Sequence, residues 1–206
     1  MKAYIIFDMD GVLIDSETWY QNILNKFLQE NHIQISKQRL NASTGLSTEG
    51  FYLHNCNKIH LTKKDFIDQY HTYINQYGEP DYKQILYPDV KECFEKLYQK
   101  GIEIIIASSS PRQIIQNVLE TTQLKEYVKF YLGSEDVHIR KPDPEIYLKI
   151  IQMQGYLPLF VVEDSYYGIQ AAKSAHTKVI AYAQKEINQS NSDMIINNHL
   201  EILDYC

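Results

Sequence analysis

The stretch "AYIIFDMDGVLIDSE", residues 3–17, sets the organisation of the chain. Residues 3–7 form a short apolar run containing Ile5, Ile6 and Phe7, which reads as a buried strand. The run ends on Asp8, and Asp10 and Gly11 follow at once. Burying charge is costly. Two carboxylates at the end of such a strand are therefore either acidic decoration on a turn or parts of a site that holds negative charge rigidly.

Similar runs recur along the chain as "IEIIIASSS" (102–110), "VKFYLGSE" (128–135), "LPLFVVEDS" (157–165) and "TKVIAYA" (177–183). Continuous rather than alternating apolar residues suit a parallel sheet covered on both faces. Helical patterns lie between the runs. Val90, Cys93, Phe94, Leu97 and Tyr98 keep helical spacing, with Gly101 as a stop. Ser110 reads as an N-cap with Pro111 at the first helical position, and Asp143 and Pro144 repeat that pattern ahead of a helix stopped by Gly155. The small-residue segment "SYYGIQAAKSA" predicts a helix lying close on the sheet. Strands alternating with helices predict an α/β fold with right-handed crossovers.

Residues 16–86 interrupt the alternation. Tyr20, Ile23, Leu24, Phe27 and Leu28 make one helical stripe, and Phe66, Ile67, Tyr70, Ile74 and Tyr77 make another. This predicts an all-helical insert over 16–86, placed after the first strand, with a core built from 1–15 and 87–206. "GEPDYKQILYPD" (78–89) is the return linker.

Composition narrows the function. With 206 residues, 44% hydrophobic and 22% charged, the chain suits a soluble folded protein. No apolar run reaches the roughly 18 residues of a membrane span, and the N-terminus does not read as a signal peptide. A net charge of −6 argues against nucleic acid, whose binders present a basic stripe. Cys56, Cys93 and Cys206 are widely spaced and odd in number, which fits a reducing cytoplasm without a disulfide framework. The seven histidines show no metal-ligand spacing, and the 17 tyrosines imply no mechanism.

In open α/β sheets ligands sit beyond the C-terminal strand ends. Those ends present Asp8 and Asp10, then Ser108, Ser109 and Ser110, then Glu163 and Asp164, with Lys141 just before a helix start. Clustered carboxylates repel one another, and a hard divalent cation such as Mg²⁺ relieves the repulsion through oxygen ligands. A lysine and a hydroxyl can hold phosphoryl oxygens. An aspartate can be a nucleophile, and a second carboxylate can move the proton. Together these fit phosphoryl transfer, where positioning and charge stabilisation dominate.

At these residues "DMDGVLIDSE", "IASSS", "RKPDPEIY" and "VVEDSYYGIQAAKSA" resemble, in order and spacing, the four motifs of the haloacid dehalogenase-like phosphotransferases. The resemblance implies a Rossmann-like core, with the helical insert as a substrate-selecting cap. Asp8 would be the nucleophile and a metal ligand. Asp10 would be the general acid/base, lending its carbonyl to the metal. Ser108 and Lys141 would hold the phosphoryl group, with Ser109 giving a backbone N–H at most. Asp164 would be a metal ligand, and Glu163 would ligate the metal or hold one of its waters. Gly11 would permit a sharp turn and close backbone approach, whereas Gly168 is read as a packing position and Asp15 as a capping or hinge residue. An aspartate at Asp10 disfavours carbon–halogen cleavage.

Three functions follow: a phosphatase of a small phosphorylated metabolite such as a sugar phosphate, a phosphosugar mutase like β-phosphoglucomutase, and a non-catalytic binding regulator. The mutases carry a histidine where this chain has Tyr20, and a cap arginine where it has Thr48. No arginine occurs between Arg39 and Arg112, and threonine cannot replace a bidentate clamp on a second phosphate. Lys58, Lys63 and Lys64 are the substitutes considered. The balance favours the phosphatase, as a monomer. Trp19, Tyr20, Ser47, Thr48, Glu49 and Ser110 are the candidates for substrate contact.

Overall fold

A computed structural model describes residues 3–43, 46, 48–183 and 187–206. The chain divides into two compact units, Met1–Asp15 with Tyr82–Cys206, and Ser16–Asp81.

The first unit is built on six strands: β1 (Tyr4–Phe7), β2 (Glu103–Ala107), β3 (Val128–Leu132), β4 (Val161–Glu163), β5 (Val179–Tyr182) and β6 (Met194–Ile196). They pair in the order β3-β2-β1-β4-β5-β6, all parallel. This is the α/β, Rossmann-like sheet expected from the apolar runs. The apolar runs do not predict the sixth strand, because "MII" is too short to register as one. Strand order reverses at β1, so the crevice beyond its C-terminal end is a topological switch point.

Side chains alternate across the sheet. Ile5, Phe7, Ile104, Ile106, Val162 and Ile180 face one apolar core, shared with helix α6 (Val90–Gln99) and helix α7 (Arg112–Thr121). Tyr4, Ile6, Ile105, Ala107, Val161 and Val179 face the other, shared with α8 (Glu145–Gln154) and α9 (Tyr166–Ser174). No helix among the described residues is long and apolar enough to cross a membrane.

The second unit holds α1 (Ser16–Glu30), α2 (Lys37–Asn41), α3 (Thr48–Asn55) and α4 (Lys63–Tyr77). Its core joins Ile23, Phe27 and Leu28 of α1 to Phe66 and Tyr70 of α4, with Phe51 of α3 between. Phe27 meets Phe66 edge-on at 5.5 Å, so the two expected stripes share a core except at their ends, where Tyr20 and Tyr77 are exposed. The return crossing falls at Asp81/Tyr82, earlier than 86/87. The reason is burial: the one-turn helix α5 (Tyr82–Ile85) puts Tyr82 into the core of the sheet unit, where Ile85, Leu86 and Tyr87 also pack.

Two helix starts shift by one residue. Pro111 and Pro144, not Ser110 and Asp143, occupy the N-cap positions of α7 and α8. Asp143 still serves its helix by accepting from the Glu145 N–H at 2.9 Å, whereas the Ser110 hydroxyl is committed elsewhere.

Candidate active site

The pleat explains how the strand ends meet. Phe7 pairs with Ile106 on one side and Val162 on the other. One step further along, Asp8 stands beside Ala107 and Glu163, and alternation turns all three toward the side of α8 and α9. Lys141, just ahead of α8, fills the space between them. Its Nζ donates to Asp8 Oδ1 at 2.6 Å, to Glu163 Oε1 at 2.6 Å and to the Ala107 carbonyl at 3.1 Å, using all three N–H groups. The ammonium is buried, as are both carboxylates.

The loop that carries Lys141 is held by Glu145 at the start of α8. Its carboxylate accepts from the Ile139 and His138 N–H groups at 2.8 and 2.9 Å. Those bonds and the Lys149 ion pair hold Glu145 down to about 2.

Glu163 is fully buried and fully bonded. Its Oε1 also accepts from the Tyr147 hydroxyl at 2.6 Å, and its Oε2 accepts from Asp164 N and Ser165 Oγ. Asp164 follows with a carboxylate close to those of Asp8 and Glu163, so that the three offer oxygens within 4.8 Å of one another. Gln189 braces this strand end by donating to the Asp164 and Tyr182 carbonyls at 2.6 and 2.7 Å.

Asp10 lies across the crevice. Its Oδ2 accepts from Ser110 Oγ at 2.7 Å and Ser108 Oγ at 3.3 Å, and Ser108 Oγ in turn accepts from Ser110 N. Ser110 is therefore a partner of Asp10 and not a helix cap. Ser109 between them is exposed.

Two glycines admit this density of charge. Gly11 has φ +76°, and a Cβ there would lie 2.1 Å from Asp164 Oδ2. Gly168 does more than the packing expected of it, because a Cβ there would lie 2.1 Å from the Glu163 carboxylate. Gly168→Ala is expected to destabilise the protein by about 2 kcal/mol or more, the overpacking cost exceeding the gain in helix propensity. The same clash should displace Glu163 and with it Lys141. A thermal melt checks the loss of stability.

The electrostatics follow from burial. Burial pushes Asp8 up to about 8, against Lys141 and with Glu163 and Asp10 adding repulsion. Asp164 is raised well above the carboxylate range by burial and then by Glu163 and Asp8. Burial acts to lower Lys141, but Asp8 and Glu163 outweigh it and keep the ammonium charged. Among the described residues the carboxyl groups of this cluster thus outnumber its ammonium, which raises Asp8 and Asp164, and the atoms that Asp8, Glu163 and Asp164 offer are all oxygens, the ligand type a hard cation takes.

In the helical unit, Tyr20 and Thr48 line a cavity of about 570 Å³ floored by Phe51, Phe66 and Tyr70. Lys37 lines it too, a residue that sequence reading passed over. Glu49 instead pairs with Lys63 at 2.7 Å, Lys64 pairs with Asp68, and Trp19 packs edge-on against Tyr20. Ser47 lies outside the described residues.

Comparison with known proteins gives a consistent picture. A family model described as haloacid dehalogenase-like hydrolase matches residues 5–182. A Thermotoga maritima protein named phosphorylated carbohydrates phosphatase is 29% identical over 176 residues, covering 83% of this chain and 80% of its own. A phosphoglycolate phosphatase of Aliivibrio fischeri is 24% identical over 205 residues, covering 93% and 90%. Among solved structures, a Thermotoga maritima protein provisionally assigned as a β-phosphoglucomutase matches with a TM-score of 0.75 at 26% identity, over 99% of this chain and 97% of that one.

Proposed function

The chain belongs to the haloacid dehalogenase-like hydrolases, and from that premise we propose that this phosphohydrolase is a magnesium-dependent phosphatase of a small phosphorylated metabolite, a sugar phosphate foremost, working through an aspartyl-phosphate on Asp8. One observation carries the reading: a buried lysine bridges the first-strand aspartate and Glu163, with a second aspartate poised on two serine hydroxyls across the crevice.

Asp8, Asp164 and the Asp10 carbonyl would hold Mg²⁺. Glu163 has both oxygens taken by Lys141, Tyr147, Asp164 N and Ser165, so its role is to anchor Lys141 rather than to ligate. A bound divalent ion supplies the positive charge that lets Asp8 and Asp164 ionise together and steadies the phosphoryl oxygens.

A carboxylate oxygen of Asp8 attacks phosphorus and the ester P–O bond breaks, while Asp10 gives its proton to the leaving oxygen. Lys141 and Ser108 hold the transferring oxygens. A water then gives its proton to Asp10 as it attacks phosphorus, and the Asp8–phosphorus bond breaks to release inorganic phosphate. Ser110 keeps the Asp10 carboxylate oriented between the two steps. Tyr20 and Thr48 carry no positive charge for a second phosphate, which supports the phosphatase over the mutase, although Lys37 borders the same cavity. The thiol pattern supports a cytoplasmic setting, and we take the enzyme as a monomer.

The test is a panel of phosphorylated metabolites assayed for phosphate release beside β-glucose 1-phosphate isomerisation. Release expected from one or more sugar phosphates supports the reading. Isomerisation that needs added bisphosphate, with little release, assigns the mutase, and phosphate binding without either reaction assigns a regulator. Excess chelator should lower turnover at least about 100-fold, with recovery on adding Mg²⁺. Full activity in chelator would remove the metal from the mechanism.

A further inference from the structure

We propose that His199 is a positioning residue for the reacting turn, its Nε2–H fixing the Val12 carbonyl and through it the Asp10–Gly11 backbone. This rests on the reading of Asp10 as the proton carrier.

His199 begins the C-terminal 3₁₀ segment His199–Tyr205 and is buried against the turn that follows β1. Its Nε2 lies 2.6 Å from the Val12 carbonyl oxygen. A carbonyl can only accept, so Nε2 carries the proton and Nδ1 keeps a lone pair. That Nδ1 is buried without a hydrogen-bond partner among the described residues. An orphaned nitrogen is a standing cost in a core, and a phenylalanine would fill the same slot against the Tyr182 ring, 4.4 Å away, and the Tyr87 ring, 5.8 Å away. What a phenylalanine would not supply is a donor for the carbonyl of Val12, a residue with no exposed surface.

The placement of that one bond matters. Residues 9–14 close on themselves, with the Met9 carbonyl accepting from Val12, Leu13 and Ile14, and Gly11 N donating to the Ile14 carbonyl. Val12 is two residues from Asp10, with the left-handed Gly11 between them. His199 is itself fixed from the other side. Asn198 donates to Asp89 at 2.6 Å and caps the 3₁₀ turn by accepting from Leu200 N. Burial holds His199 down to about 4, against the Val12 carbonyl and Asp89, so it remains a neutral single donor at working pH. Asp10 must present its carboxylate first to a leaving oxygen and then to a water. A turn released at Val12 would blur that aim and slow the chemistry without weakening phosphate capture by Lys141 and Ser108.

The experiment compares the wild-type protein with His199→Phe and His199→Gln. Phenylalanine keeps the ring and loses the donor, whereas glutamine keeps a donor and loses the ring. Amide hydrogen exchange is followed at residues 11–14 and in β2 and β5, with kcat and KM for p-nitrophenyl phosphate in Mg²⁺. In His199→Phe, exchange at 11–14 is expected to rise at least about 10-fold with β2 and β5 unchanged, and kcat to fall about 10-fold at constant KM. His199→Gln should recover most of both. Wild-type exchange at 11–14 in His199→Phe would reduce the residue to packing, and equal acceleration throughout the sheet would make it a general structural residue. Either result overturns the proposal. Should His199→Phe not fold, His199→Gln against His199→Met makes the same comparison. If the wild-type protein does not turn over the phosphate ester, the exchange data still decide the positioning role, and the failure falls on the phosphatase reading alone.

Discussion

An Asp8→Asn protein is expected to fold, to bind phosphate, and to turn over at least about 10⁴-fold more slowly than the wild type, the scale on which enzymes lose a nucleophile. Asparagine has the same shape and fits the same slot beside Ala107 and Glu163. Its amide cannot attack phosphorus to form the acyl-phosphate. Stability should change little. Burial already pushes Asp8 up to about 8, so the position resists charge, and Lys141 retains Glu163 and the Ala107 carbonyl as acceptors. The measurement is steady-state phosphate release beside a thermal melt. Turnover within about 10-fold of wild type would remove Asp8 as the nucleophile, and a collapse of the melt would make the kinetic loss uninformative about chemistry. Asp10→Asn, with its contacts to Ser108 and Ser110 weakened, should instead slow discharge of the intermediate far more than its formation when the leaving group departs without a proton, as p-nitrophenolate does, so a burst of product without turnover would separate the two aspartates.

The sheet was legible in the sequence because its buried parallel strands are uninterrupted apolar runs, each ending on a residue too polar to stay in the core. That property located Asp8, Ser108, Glu163 and Asp164 together. It failed at β6, where three residues carry too little pattern, and at the helix starts, where a serine before a proline reads as a cap. The Ser110 hydroxyl goes to Asp10 because the loop after β2 turns back over the crevice, a tertiary fact that local capping rules do not contain. Tyr147 was invisible for a different reason: one tyrosine among 17 gives no signal, and its importance comes only from standing where α8 passes Glu163. Gln189 and His199 act through backbone carbonyls, contacts that leave no motif. Gly168 did leave a trace, as a glycine inside an alanine-rich helix that would tolerate a side chain on propensity alone; asking what a Cβ would meet there points to Glu163.

Lys141→Met is expected to be the most destabilising single substitution in the cluster. The ammonium is the cation shared by two buried carboxylates at 2.6 Å each. Removing one partner from a buried ion pair costs about 3–5 kcal/mol, because the charge left behind has neither water nor counter-ion. For a chain of this size that corresponds to a fall of roughly 10 °C in melting temperature. A solvated surface lysine in the same sequence position would shift stability by less than about 0.5 kcal/mol, so the melt alone separates the two readings. Activity should be lost as well, since methionine can neither steady the phosphoryl oxygens nor oppose the burial that disfavours the Asp8 carboxylate. The double variant Lys141→Met/Glu163→Gln distinguishes stability from chemistry. Neutralising Glu163 removes one of the stranded charges and leaves an amide that can still accept from Tyr147, so part of the stability should return, with a coupling of about 1–3 kcal/mol between the two positions. Turnover should not return, because the phosphoryl group still lacks its ammonium. Strictly additive melts would show that Glu163 does not hold Lys141 in place, and recovered turnover would show that the lysine acts only through Glu163 and not on the phosphate.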